Sequence, residues 1–272
     1  MMKKTDKKIA LIAGALRLPF LVRDSLRANG YAVFIVGLKN YADPKLGADI
    51  TVRLGAGGTV WRELKKRGIK QMVLVGALGH PKFSDIRPDL WTVGLAARVL
   101  AADKGYDSML TVLVREIERK GVKVVAAQDL CPDLVFAPGV QTKTKPGKQD
   151  ARDIARATEV SQIIGKADIG HSVVVDKMVL GVEGADGTAA LLDRSAKIKK
   201  AQGGKRGGVF AKMTKPGQSL KIELPAIGPD TVRAVAAANL GGIIVNAGTC
   251  LVIDRAEVIA LADKNKIFIT AI

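Results

Sequence analysis

Short apolar runs that stop at glycine, each followed by an amphipathic segment, restrict this chain more than any other feature. KIALIA at residues 8–13 ends at Gly14, Pro19 suits the first turn of a helix, and LVRDSLRANG keeps apolar side chains at helical spacing as far as Gly30. YAVFIVG is a second run, DITVRL a third strand, VWRELKKRG a helix, and KQMVLVG a strand ending at Gly76. An unbroken apolar run marks a strand buried on both faces. Strands alternating with helices predict an α/β fold, with an N-terminal Rossmann-like parallel sheet carrying helices on both faces. VGLAARVLAAD and SMLTVLVREIERKG read as core-facing helices, and VKVVAAQDL as the last strand of this domain.

Beyond Pro138 the polar, basic stretch QTKTKPGKQD reads as a linker. It predicts a nucleotide-binding domain over 1–141, a linker over 142–149 with the boundary near Lys145, and a C-terminal α/β catalytic domain over 150–272. That second domain opens with a helix over about 150–165, and SVVVDKMVLGVE follows as a hairpin turning at Asp176-Lys177. A helix over 189–200 leads into AKIKKAQGGKRGG, which has no apolar anchor and reads as a solvated loop or, alternatively, as a contact for phosphate or an anionic membrane. GGVFAKM is a buried strand and KIELP a strand-like segment ending in Glu223. Helix 230–239, GGIIVNA, TCLVID, helix 255–264 and KIFITAI complete the domain.

The net charge of +17 implies an anionic partner: nucleic acid, a membrane face or a phosphorylated substrate. Aromatic residues make up only 4%, which counts against nucleic acid because base-stacking platforms are scarce. Cys131 and Cys250 form no metal or disulfide spacing and fit a reducing cytoplasm. The lysines and apolar run at the N-terminus imitate a signal peptide, but Arg17 interrupts the run, and we read it as the first strand. No apolar segment reaches the length of about 18 to 20 residues needed to span a bilayer, so membrane contact would be peripheral.

In a parallel sheet, ligands bind beyond the carboxyl ends of the strands. Two loops there are candidates for a phosphate or ribose: one with Gly14, Arg17 and Pro19, the other running from Gly76 through Pro88 and containing Arg87. Both are equally readable as tight turns. The Gly55-Ala56-Gly57-Gly58 run is a weak dinucleotide fingerprint, lacking its third small residue at Val60. His80 and His171 are the only histidines, which argues against a multi-histidine metal centre and a Ser-His-Asp hydrolase. Oxygen chemistry remains. Glu183, Asp186, Thr188, Glu223 and Asp230 are candidate ligands for a hard ion, with Lys212 and Lys215 nearby in sequence to face phosphates. Asp186 and Asp230 are equally readable as helix caps.

RLP at 17–19, YADP at 41–44, HPKFSDIRPD at 80–89, VLGVE through Gly187-Thr188, GVFAK through KPGQ, and LPAIGPDTV at 224–232 occur in order across nearly the whole chain. In this series the chain resembles the bacterial UDP-2,3-diacylglucosamine pyrophosphatase family. The resemblance implies a Mg2+- or Mn2+-dependent enzyme of lipid A synthesis, cytoplasmic and peripheral on the inner membrane. It would attack the α-phosphate with water and release UMP and 2,3-diacylglucosamine 1-phosphate. It further implies two α/β domains holding the substrate between them, and a homodimer.

The resemblance also implies roles. The family's catalytic carboxylate opens its DLPTIG motif, and Glu223 of ELPAIG takes that position with one more methylene. Lys212 and Lys215 would neutralise phosphates, and Glu183, Asp186 and Glu223 would hold the ion. Gly14, Arg17, Pro19, Gly76, Arg87, Gly187, Thr188 and Gln218 would bind substrate. The chain departs from the family at Ala189 and Asn246, where acids are expected, at His171 in place of glutamine, and at Leu16 in place of glycine. These departures motivate a second expectation, a relative that binds a nucleotide-linked lipid or sugar without turning it over.

Overall fold

A computed structural model describes residues 7–78, 88–100 and 106–272. The chain divides into two units, one running to Asp133 and including Ser219–Glu223, the other comprising Leu134–Gln218 and Leu224–Ile272.

In the first unit the chain runs β1 (Lys7–Ala13), α1 (Leu18–Ala28), β2 (Tyr31–Leu38), β3 (Ile50–Val52), α2 (Gly57–Arg67), β4 (Gln71–Val75), α3 (Leu90–Leu100), α4 (Tyr106–Arg119), β5 (Lys123–Val124) and α5 (Ala127–Leu130). The strands form one sheet in the order β3-β2-β1-β4-β5, with every neighbouring pair parallel. Ile9, Ala10 and Leu11 are all fully buried, so successive side chains of β1 enter cores on opposite faces. One of those cores gathers Ala10, Val36 and Met72 against Leu64 of α2 and Val114 of α4. The long last strand expected from VKVVAAQDL is shorter. Only Lys123 and Val124 pair with β4, after which the chain turns into α5.

Asp89 ties two helix starts together. Its carboxylate accepts the Gly58 N–H at 2.7 Å in α2, and the N–H and hydroxyl of Thr92 in α3, each at 2.9 Å. A Cβ on Gly57 would lie 2.1 Å from the Trp91 ring, and one on Gly58 2.8 Å from the Asp89 carboxylate. These glycines therefore admit an internal aromatic ring and an internal anion. The helix N-terminus that the weak dinucleotide fingerprint would offer to a phosphate faces a carboxylate of the chain itself.

In the second unit β6 (Gly139–Val140), α6 (Lys148–Lys166), β7 (Ser172–Val175), β8 (Met178–Val182), α7 (Gly187–Ala201), β9 (Val209–Lys212), β10 (Ala226–Ile227), α8 (Pro229–Ala237), β11 (Gly242–Val245), β12 (Leu251–Val252), α9 (Arg255–Lys264) and β13 (Phe268–Ala271) follow in order. The main sheet has the order β6-β13-β11-β9-β7-β8, and β10 pairs with β12 apart from it. β9, β11 and β13 are parallel, whereas β7 is antiparallel to both β9 and β8. Val173, Phe210, Ile243 and Val245 build the core on one face; Val174, Val209, Ala211 and Ile244 build the other.

The hairpin turns where the sequence predicts. Asp176 and Lys177 have φ of 50° and 64°, the left-handed pair of a tight two-residue turn. The buried Asp153 carboxylate of α6 accepts both of their N–H groups, at 3.2 and 2.7 Å. The polar stretch 142–149 belongs to this unit: Thr142 Oγ1 accepts the Ile269 N–H at 3.0 Å, and the Lys143 N–H reaches Asp263 at 2.8 Å.

Two expectations are corrected. The basic run after residue 196 is a solvated loop only in its second part, from residue 202 on. Its first part lies in α7, Lys199 is buried and donates to the Gly207 and Asn239 carbonyls at 2.5 and 2.7 Å, and Arg206 donates to the Asn265 and Lys266 carbonyls. KIELP is a turn rather than a strand. Ile222 packs into the first unit's core and Lys221 bridges Glu118 at 2.7 Å, so packing overrides the alternating pattern.

Asp89→Ala is expected to lower stability by about 1–2 kcal/mol, read as a fall in the urea midpoint at neutral pH. Burial alone would raise the Asp89 pKa, but hydrogen bonds from Thr92, Gly58 and Thr59 outweigh it and hold the carboxyl below its ordinary value. The contribution is therefore complete above the ordinary carboxylate range near pH ~4 and fades as pH falls through the folded value. The stability gap between the wild type and Asp89→Asn should narrow in acid; a gap constant with pH would contradict this.

Candidate functional site

Strand register assembles the site of the second unit. Ser172 pairs with Ala211 on one side and with Val182 on the other. One step further, His171 stands between Lys212, the last residue of β9, and Glu183, whose N–H donates to the His171 carbonyl at 2.7 Å. The antiparallel seating of β7 thus brings the end of a parallel strand beside the end of the hairpin. α7 begins directly above this row. Gly187, at φ 79°, makes the left-handed entry that a side chain would resist.

Lys212 Nζ donates to the Thr188 hydroxyl at 2.9 Å, and that hydroxyl donates to Glu183 at 2.7 Å. The ammonium and carboxylate are thereby joined through one hydroxyl. Burial pushes the Lys212 pKa below its ordinary value, while Glu183 and then Cys250 oppose that shift. His171 is held well below its usual value by burial first and then by Lys212 and Lys215, so the ring is neutral at physiological pH. Cys250 is fully buried and its thiol is pushed up to about 12 by burial, against the pull of Lys212. A partly desolvated cation with a hydroxyl beside it suits an incoming phosphate oxygen.

The remaining candidates of this unit form a second layer. Lys215 pairs with Asp168. Gln218 accepts the Lys215 N–H at 3.0 Å and returns its own N–H to the Lys215 carbonyl at 3.2 Å, closing a turn. Asn246 accepts both the N–H and the hydroxyl of Thr214, at 2.7 and 2.8 Å, and so ties this turn to β11. Where the family resemblance leads one to expect an acid, the Asn246 amide oxygen supplies the acceptor.

The carboxylates do not gather within one unit. Asp186 pairs with Arg194, Glu183 takes the Thr188 hydroxyl, Asp230 pairs with Arg233, and Glu223 belongs to the segment grouped with the first unit. Among the described residues no group of three or more His, Cys, Asp or Glu side chains is placed to hold a metal ion. A ready-made cage of three carboxylates therefore does not fit the second unit. The donors that do fit there are Glu183 and the Thr188 hydroxyl, the sparse oxygen set that Mg2+ accepts when water and substrate phosphates complete its shell.

In the first unit, Gly14 and Gly76 bring two strand-end loops together. Ala15 and Ala77 exchange backbone hydrogen bonds at 2.8 and 3.1 Å, and a Cβ on either glycine would lie 2.8 Å from a carbonyl oxygen of the other loop. Pro19 lies in the first turn of α1 and packs toward Gly76. Arg17 sits at the N-cap of that helix with its guanidinium 5.9 Å from the Phe20 ring centre. Leu16 has φ 74°, the conformation that favours glycine, and its side chain is 71% exposed. Arg87 and His80 lie outside the described residues.

The chain matches the family description "LpxI N-terminal domain" over residues 8–134 and "LpxI C-terminal domain" over residues 137–270. It is 34% identical over 275 residues, 98% of each chain, to the UDP-2,3-diacylglucosamine pyrophosphatase LpxI of Caulobacter vibrioides. A solved structure described as "Crystal structure of gox2253" covers 97% of this chain and 70% of that one, at 13% identity and a TM-score of 0.33.

Glu183→Gln removes the attraction that opposes the burial of Lys212. The Lys212 amine should then lose its proton at a lower pH than in the wild type, followed by NMR of the lysine side chain or by amine labelling against pH. An unchanged titration would mean that Glu183 does not hold the cation.

Proposed function

Because the chain belongs to the LpxI family, we propose that it is a UDP-2,3-diacylglucosamine pyrophosphatase. It hydrolyses the pyrophosphate bond by water attack at the α-phosphate, giving UMP and 2,3-diacylglucosamine 1-phosphate. The observation that carries this reading is identity of 34% sustained over 98% of both chains, which leaves neither unit unmatched. The Lys212–Thr188–Glu183 arrangement supports it, because it offers a desolvated cation and a hydroxyl to phosphate oxygens.

In this mechanism Lys212 draws charge from the phosphate as it develops in the transition state, and Thr188 fixes the direction of the ammonium. Lys215, held by Asp168, adds a second positive charge. His171, neutral and edge-on to Phe210 with ring centres 6.2 Å apart, fills the row without adding charge. Glu223 orients the attacking water and takes its proton. Mg2+ or Mn2+, when bound, would neutralise phosphate oxygens and acidify water, and Glu183 with Thr188 would contribute its protein ligands.

No helix among the described residues is long and apolar enough to cross a membrane. We assign the enzyme to the cytoplasmic side of the inner membrane as a peripheral protein, where its net charge of +17 favours an anionic surface, and as a homodimer.

UMP release from UDP-2,3-diacylglucosamine should require Mg2+ or Mn2+, stop with EDTA, and vanish in Glu223→Ala. Glu223→Asp, which withdraws the carboxylate by about 1 Å, should alter kcat by up to roughly a hundredfold with little change in KM. Saturable binding of the substrate by calorimetry with no UMP in either the native or the Glu223→Asp protein would instead favour a binding protein that lacks turnover.

A further inference from the structure

The strands of the first unit begin at the end of the sheet opposite Gly14 and Gly76, and lysines collect there. Lys7 and Lys8 open β1, and Lys70 immediately precedes β4. The register of these parallel neighbours sets Ala10 level with Met72, so Lys8 stands level with Lys70, while Lys7 pairs with Tyr31 of β2. The Lys70 carbonyl accepts the Lys123 N–H at 2.8 Å, which holds that residue in line with the sheet. Gly68, at φ 65°, ends α2 and turns the chain toward β4. These residues enclose a cleft of about 450 Å3, lined by Lys7, Lys8, Tyr31, Gly68, Lys70 and Gln71. Its size is that of a small-molecule site.

Among the described residues no carboxylate lines the cleft. Glu63, the acid of α2, is taken by Arg67. The Lys8 ammonium donates to the Arg67 carbonyl at 3.3 Å, and the Lys7 ammonium lies 5.7 Å from the Tyr31 ring centre. These contacts orient two cations without neutralising them. Lys7, Lys8 and Lys70 are exposed and form no ion pair with any described residue. Cations in the last turn of a helix complement its dipole, which accounts for Lys65 and Lys66. A sheet has little net dipole, so that account does not extend to the lysines at the strand starts. Their mutual repulsion is relieved by a bound anion, and the three together call for more charge than one carboxylate carries. A phosphate monoester carries about two charges near neutral pH. We propose that this cleft is a separate anion site that binds a phosphate group, with Lys7, Lys8 and Lys70 supplying charge and Tyr31 and Gln71 a hydroxyl and an amide. β1 is seven residues long, which sets the cleft roughly 20 Å from the Gly14 loop. It is therefore distinct from the candidate phosphate-binding loops of this unit, and the inference is independent of the pyrophosphatase reading. Soluble phosphates and lipid headgroups share this chemistry, and the test separates them.

Pyrophosphate titrated into the full chain at physiological ionic strength should shift the backbone amide resonances of Gly68 and Gln71 saturably. Co-sedimentation with vesicles of phosphatidylcholine, with and without phosphatidylglycerol, forms the second arm. Lys8→Gln combined with Lys70→Gln should weaken binding about tenfold or more, the loss expected when two charge-assisted contacts are removed. Lys197→Gln combined with Lys200→Gln removes the same charge from α7 in the second unit, and should change binding by less than about twofold because distant surface charges are screened. Thermal transitions check that both double variants are folded, and Lys7→Gln gives an independent single change at the same cleft. Saturable shifts at Gly68 and Gln71 that are lost only in the cleft variants assign the site to soluble phosphate. Sedimentation that requires phosphatidylglycerol and is lost only in the cleft variants assigns it to lipid headgroups. Equal losses in the two double variants would reveal attraction to overall charge and overturn the proposal. Absence of binding in both arms would overturn it as well.

Discussion

Burial of both faces of each main sheet is the constraint on which the rest of this structure depends. When Ile9, Ala10 and Leu11, or Val209, Phe210 and Ala211, are all inaccessible, no polar group can leave the middle of a strand. Chemistry is displaced to the strand ends, where the chain must turn and where backbone groups remain to be satisfied. Lys212, Asn246 and Glu183 all lie at such ends, and so do Gly14 and Gly76. The antiparallel seating of β7 in the second unit adds a consequence that a purely parallel sheet lacks, because it places the start of one strand, at His171, beside the ends of two others.

The same constraint explains how much was legible in the sequence. Strands buried on both faces leave unbroken apolar runs, so β1, β2, β4, β9 and β11 could be read directly. The Asp176-Lys177 turn could be read because two charged residues interrupt an apolar, β-branched run, and both adopt left-handed backbone. Lys199 could not be read. A lysine among lysines and glycines carries no mark of burial, and the carbonyl of Asn239 that it reaches lies forty residues away in sequence. KIELP departs for the converse reason, since its alternation is that of a strand but its half-buried Ile222 packs against the first unit's core. Among the site residues the motifs supplied Glu183, Thr188 and Lys212 as separate candidates. Their order through the threonine hydroxyl required the register.

Charge and glycine content, the two features that pointed toward phosphates, divide in the structure between binding and construction. Lys199 and Arg206 satisfy carbonyl groups, and Arg255 does the same for Val135. Part of the positive excess therefore closes loops and helix ends. Gly57 and Gly58 admit Trp91 and the Asp89 carboxylate, while Gly14 and Gly76 admit each other's carbonyls. A glycine whose missing Cβ space is filled by the chain's own atoms is a packing residue. Leu16 presents the reverse case, because it keeps a glycine-like backbone while carrying an exposed side chain.

Glu223 brings these strands of argument together. Its segment is anchored on the residues before it: Ile222 lies in the first unit's core, Lys221 is paired with Glu118, and the Leu220 carbonyl accepts from Gln128 at 3.3 Å. Its own N–H donates to the Ser219 carbonyl at 3.3 Å. A backbone restrained over successive residues has little freedom to retreat when the side chain gains a methylene. The difference between glutamate and aspartate at this position must then be absorbed by side-chain torsions, which move the carboxylate oxygens by about 1 Å. The anchoring of its backbone therefore makes the length of the Glu223 side chain consequential for where its carboxylate lies.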